Sequence, residues 1–149
     1  MNSPDTNMKS PRRATGTLTA RVNGIDNFNA EVVFLSADDL FIYISGVQDN
    51  KNSLIRAVEF KLVADVKNGT YTFNVDPEIG QLFLTGSSSQ WYYTDTGTVT
   101  VDFDRDADQY RGSFTVKAHE LPNGAEIDVI GTFDLEGLVL ATVSTETHR

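Results

Sequence analysis

From Gly97 to Leu135 the chain alternates apolar and polar residues with little interruption over three consecutive stretches. A period of two residues is the mark of a strand with one face in a core and the other toward water. Val99, Val101 and Phe103 share one face, with Thr98, Thr100 and Asp102 on the other. Phe114, Val116 and Ala118 repeat the pattern against Ser113, Thr115 and Lys117, and Ile127, Val129, Phe133 and Leu135 repeat it again. This segment commits the chain to a sheet, and the residues before it read as further strands of the same all-β domain.

Leu18, Ala20 and Val22 alternate with Thr17, Thr19 and Arg21 up to Asn23-Gly24, a pair that favours a tight hairpin. Phe28, Ala30, Val32 and Phe34 are expected on the inner face of the next strand. Ser36-Ala37-Asp38-Asp39 is a polar turn, followed by the nearly continuous apolar run Leu40 to Ile44. Leu54 to Ala64 is ambiguous between helix and strand. At strand spacing Leu54, Val58, Phe60, Leu62 and Ala64 fall together with only Arg56 breaking the face, whereas at helix spacing Lys61 and Asp65 interrupt the stripe, so a strand is expected. Asn68-Gly69 is expected to turn the chain into a strand carrying Tyr71, Phe73 and Val75, closed by Asp76-Pro77, and short strands are expected at Gln81–Thr85 and Gln90–Thr94. About ten short strands punctuated by Gly, Asn and Asp point to an antiparallel β-sandwich or a partly closed β-barrel. The expected domain spans residues 16–143, between a disordered N-terminal tail over 1–15 and a polar tail over 144–149.

A length of 149 residues suits one such domain. Cysteine is absent, which excludes disulfides, thiolate metal sites, a cysteine nucleophile and an acylated lipobox cysteine. The basic residues Lys9, Arg12 and Arg13 are not followed by an apolar stretch of the kind a secretory signal needs, and no apolar run approaches the length of a spanning helix. The expectation is a soluble cytoplasmic protein, without membrane insertion. A net charge of −9 repels phosphate backbones, so nucleic acid is not an expected partner.

Several short segments carry a resemblance. Val22-Asn23-Gly24 leads to Ala30, Gly69-Thr70-Tyr71 opens a middle strand, and the stretch from Gly97 to Asp104 is followed by Tyr110-Arg111-Gly112-Ser113-Phe114 and by Gly131-Thr132-Phe133-Asp134-Leu135. In these the chain resembles a family of small bacterial all-β domains of unknown function, found in lipoproteins and exported chains. The resemblance implies a β fold and no catalytic residues.

Few residues suggest chemistry. Asp102, Asp104, Asp106 and Asp108 stand at alternate positions, and closely spaced carboxylates suit a hard cation such as Ca²⁺. Matched to the calcium-loop pattern from Asp104, however, Gln109 stands where glycine is required and Thr115 where a bidentate glutamate is required. Asp104, Asp106 and Asp108 are therefore weak metal candidates, and a solvated hairpin loop is the expectation. Gly86-Ser87-Ser88-Ser89 lacks the second glycine of a nucleophile elbow, and neither a dinucleotide fingerprint nor a P-loop occurs, so no cofactor is expected. His119 and His148 are the two histidines.

Trp91-Tyr92-Tyr93 is the candidate binding site, being the run of three aromatics that holds the sole tryptophan. In a strand, Trp91 and Tyr93 point one way and Tyr92 the other, so at least one ring leaves a one-sided core. An exposed aromatic with a polar handle suits contact with a protein or stacking on a carbohydrate or other small ligand. The function expected is a non-enzymatic binding or interaction module. The alternatives are an acidic inhibitor or immunity-type protein that blocks a basic protein, and a small hydrolase using carboxylates or His119.

Overall fold

A computed structural model describes residues 13–49, 54–86, 90–121 and 124–140, and every regular element in them is a strand. These are β1 (Arg13–Val22), β2 (Ile25–Asn29), β3 (Val32–Ala37), β4 (Phe41–Val47), β5 (Ile55–Val63), β6 (Gly69–Thr72), β7 (Ile79–Gly86), β8 (Trp91–Asp104), β9 (Gln109–Glu120), β10 (Glu126–Glu136) and β11 (Val139–Leu140). The alternating stretch Gly97 to Leu135 becomes the antiparallel trio β8, β9 and β10, with its apolar face inward and its Thr, Ser, Asp and Lys face outward. Consecutive strands then pair antiparallel around a ring. β10 pairs β1 from Thr15↔Glu136 to Val22↔Val129, and β1 reaches β3 through Arg13↔Phe34 and Ala14↔Val33. That last contact closes an 8-stranded barrel of β1, β3, β4, β5, β7, β8, β9 and β10, with β2, β6 and β11 attached to it. Between the two expected architectures, the chain adopts the barrel.

The interior is filled by the chain's own side chains. Leu18, Leu35, Ile42, Ile44, Val58, Leu62, Leu82, Leu84, Val99 and Val129 line it, and Phe60 sits against Phe114 and Phe133 with ring centroids 6.0 and 5.6 Å apart. Two glycines make room for these rings. Gly131 faces Phe114 and Gly112 faces Phe133 across the β9–β10 ladder, and each ring occupies the space that a Cβ on its partner would need. The recurring Gly-Ser-Phe and Gly-Thr-Phe segments thus record a packing device of a small barrel, in which small and large inward residues alternate to fit the taper.

Several local expectations give way to the tertiary pairing. β1 begins at Arg13, inside the segment expected as tail, because its first two residues pair with β3. β2 and β3 run as one bent strand beside β1, interrupted at Ala30-Glu31, where Ala30 N–H donates to Leu18 O at 3.0 Å and Glu31 N–H to Val47 O at 2.8 Å. Phe28 is buried, but past the break Val33, Leu35 and Ala37 point inward, so Val32 and Phe34 do not belong to the inner face. In β5 a register shift between Ile55 and Ala57 makes Arg56 the extra residue of a bulge, and Ile55, Val58, Phe60 and Leu62 all face the core. Asn68-Gly69 does not form a β5–β6 hairpin. Asn68 instead exchanges two hydrogen bonds with the backbone of Phe103, and β6 pairs with the lower half of β8. β6 ends at Thr72, whose N–H is taken by the Asp76 carboxylate at 2.7 Å.

Candidate functional site

The barrel's outer surface divides into two kinds. Across β6, β8, β9, β10 and β1 a row of hydroxyls lies in register, Thr70↔Thr100↔Ser113↔Thr132↔Thr19, with Oγ1 atoms 3.0 Å apart at Thr70 and Thr100 and 3.4 Å apart at Thr19 and Thr132. Across β3, β4, β5, β7 and the start of β8, the outward row reads Phe34↔Ser45↔Glu59↔Phe83↔Tyr93, continuing to His119 on β9. Tyr43↔Lys61 and Phe41↔Val63 flank this row on one side and Thr85↔Trp91 on the other. Six aromatic side chains therefore stand outside the core on adjacent strands: Phe34, Phe41, Tyr43, Phe83, Trp91 and Tyr93.

Phe83 is the centre of this face. Its ring meets Tyr93 edge to face at 5.1 Å and 88°, and Trp91 at 6.3 Å and 83°. Such T-shaped pairs match the positive edge of one ring to the negative face of the other, which holds Trp91 against the half-buried Phe83 and Tyr93 without burying it. Trp91 remains 47% exposed. Its backbone carbonyl accepts the Leu121 N–H at 3.1 Å, tying the start of β8 to the end of β9. Glu59, Phe83, Gln90, Trp91, Tyr93 and Leu121 line a concavity of about 490 Å³. A second of about 470 Å³ adjoins it, sharing Glu59 and Phe83 and reaching Tyr43, Lys61 and Gln81. Lys61 Nζ lies 4.2 Å from the Phe41 ring centroid, and Phe41 meets Tyr43 edge-on at 6.1 Å.

Of the three adjacent aromatics, Trp91 and Tyr93 belong to this face and Tyr92 to the barrel interior, where it is 3% exposed. Burial, with the nearby Glu120 carboxylate adding to it, raises the Tyr92 phenol above its ordinary pKa. The other members of the face escape a reading of the sequence because four different strands contribute them and none is a neighbour of Trp91 in the chain. Their one local signal is that the outward positions of β4 and β7, where a one-sided sheet carries polar residues, hold Tyr43 and Phe83.

The remaining candidates lie elsewhere. Asp104, Asp106 and Asp108 are at the opposite end of β8, in and beside the turn into β9, where the carboxylates of Asp104 and Asp108 accept backbone hydrogen bonds. Asp108, at φ 56°, accepts the backbone N–H groups of Gly137 at 2.8 Å and Leu138 at 3.2 Å, and Asp104 accepts that of Ala107 at 3.3 Å. Among the described residues, no three His, Asp or Glu side chains converge as cation ligands. Asp95 is the bulged residue of β8, and its carboxylate contacts His119 Nδ1 at 2.8 Å. This pair has a base and a group to orient it, but among the described residues no hydroxyl is hydrogen-bonded to the other ring nitrogen. Ser87, Ser88 and Ser89 lie outside the described residues, as do His148 and residues 1–12 and 141–149. Among the described residues no helix is long and apolar enough to cross a membrane. Compared with known protein families, with curated proteins and with solved structures, the chain finds no match.

Proposed function

We propose that this protein is a non-enzymatic binding module whose ligand seats on the outer aromatic face around Phe83, Trp91 and Tyr93. The observation that carries the reading is the segregation of side chains. Eight of the chain's aromatic residues fill the core, while six of the others gather on one side of the barrel's exterior, opposite a hydroxyl-bearing side. A partly exposed aromatic cluster with polar groups at its margin is the composition of contact surfaces, because rigid rings offer large apolar area at little cost in side-chain entropy. The interior is occupied by the protein's own Phe and Leu side chains, which favours a surface site over a ligand held inside the barrel.

The sole tryptophan lies in this site, so its emission reports binding directly. Titration of the intact protein with panels of peptides and oligosaccharides is expected to shift or quench Trp91 emission for a subset of ligands. A Trp91→Ala, Tyr93→Ala double variant is expected to keep its fold and, in calorimetric titration, to bind the same ligands at least tenfold more weakly. Capture equal to that of the unaltered protein overturns the reading.

A further inference from the structure

The groove beneath Trp91 has a chemistry more specific than apolar. Its lining is three aromatic rings, Leu121, Gln90 and one charged group, the Glu59 carboxylate. Glu59 is exposed, and among the described residues its carboxylate forms no ion pair or hydrogen bond, although Lys61 stands two residues further along the same face of β5. Lys61 is directed instead onto the Phe41 ring, 4.2 Å from its centroid. The face therefore already seats one cation on an aromatic ring, and it leaves an unneutralised carboxylate beside three further rings.

Resting on the binding reading above, we propose that this groove takes a cationic side chain, an arginine or lysine presented by a basic protein partner. A guanidinium or ammonium over an aromatic face is drawn to the negative centre of the ring, and a carboxylate at the edge adds a direct charge partner. Glu59, Phe83 and Tyr93 lie in one cross-strand row with Trp91 diagonal to it, so a side chain entering the groove meets ring surface and carboxylate together. An acidic ligand is repelled by Glu59, and a neutral one gains at most a hydrogen bond from the carboxylate, without the charge pairing that a guanidinium or ammonium adds. The net charge of −9 acts in the same direction at longer range, since it attracts a basic partner and raises its rate of encounter.

The test uses the full chain, Trp91 emission and three probes: a short arginine-containing peptide, the same peptide with citrulline in place of arginine, and a panel of neutral oligosaccharides. Citrulline keeps the shape and removes the charge. The arginine peptide is expected to bind at least tenfold more tightly than its citrulline counterpart, with an affinity that falls as salt rises. Glu59→Gln is expected to weaken the arginine peptide at least fivefold. Asp106→Asn removes an equal charge from the turn at the far end of β8 and is expected to leave binding unchanged. Equal loss in the two variants overturns the proposal, because binding is then to the diffuse negative field and not to this groove. Equal affinity for arginine and citrulline peptides, or a Trp91 response to oligosaccharides alone, also overturns it while leaving a binding face in place. Arginine peptide capture that survives Trp91→Ala, Tyr93→Ala at full strength, read by calorimetry because this variant has no tryptophan, removes the binding reading itself.

Discussion

Trp91, Tyr92 and Tyr93 are neighbours in the chain and belong to different environments, because successive side chains of a strand point to opposite sides of the sheet. Tyr92 packs inside the barrel and carries core energy, whereas Trp91 rests edge-on against Phe83 with half of its surface in water. Tyr92→Ala is expected to cost about 3–5 kcal/mol in urea unfolding, the range for large aromatic truncations in cores. Trp91→Ala is expected to cost under about 1 kcal/mol, as for exposed positions away from a cap or network. A reversed order places the rings wrongly. The same burial gives a pH signature. Tyr92 and Tyr110 both have phenols raised above the ordinary value, chiefly by burial. A group with a raised folded pKa favours the fold while it stays protonated, so this stability is complete below about pH 10 and is lost as pH climbs through the folded values. Replacing both by Phe is expected to delay alkaline unfolding. Unfolding that begins at the same pH in the double variant assigns it to other groups.

At the scale of elements, irregularities decide what faces out. β8 reads in the sequence as two short strands, Gln90–Thr94 and the stretch from Gly97, but it is one strand of 14 residues with a bulge at Asp95. The bulge reverses parity, so that Tyr92 and Thr94 point inward before it and Val99, Val101 and Phe103 after it. A bulge frees backbone groups that need partners. Asn74 supplies them from the β6–β7 connection, donating its amide to Thr94 O at 3.1 Å and Asp95 O at 3.0 Å, while Gln81 donates to Thr94 O at 2.8 Å. Asn74 has φ 66°, a conformation asparagine tolerates better than most residues. Asn74→Ala therefore combines lost hydrogen bonds with backbone strain and is expected to cost about 2–3 kcal/mol. Asn74→Gly relieves the strain and is expected to recover part of that cost. Equal stability of the two variants removes the strain component.

At the scale of the molecule, closure of the ring controls dynamics. β9 and β10 are paired on both edges over most of their length, while β2, β6 and β11 are each attached along one edge. Native-state hydrogen exchange is expected to be slowest at the inward-facing centres of β9 and β10, near Phe114 and Val129, and fastest in β2, β6 and β11. Slow exchange in β6 equal to that of β9 contradicts this order.

The sequence by itself determined that the chain is all-β, where its strands lie to within a few residues, the tight turn at Asn23-Gly24 with φ 55° and 81°, and the inward residues of β8, β9 and β10. These follow from short-range causes: side-chain alternation and the conformations that Asn and Gly allow. Even Leu54 to Ala64 was legible as a strand, although the Arg56 bulge changes which residues face the core. Tertiary structure alone decided the rest. Alternation states which face a residue takes but not which strand lies beside it, so the pairing of Thr15 with Glu136 that makes a barrel of a meander has no local sign. For the same reason Trp91 and Tyr93 stood out as adjacent aromatics, while Phe34, Tyr43, Glu59 and Phe83 joined them only when ring closure and the breaks at Ala30, Arg56 and Asp95 brought separate strands into register.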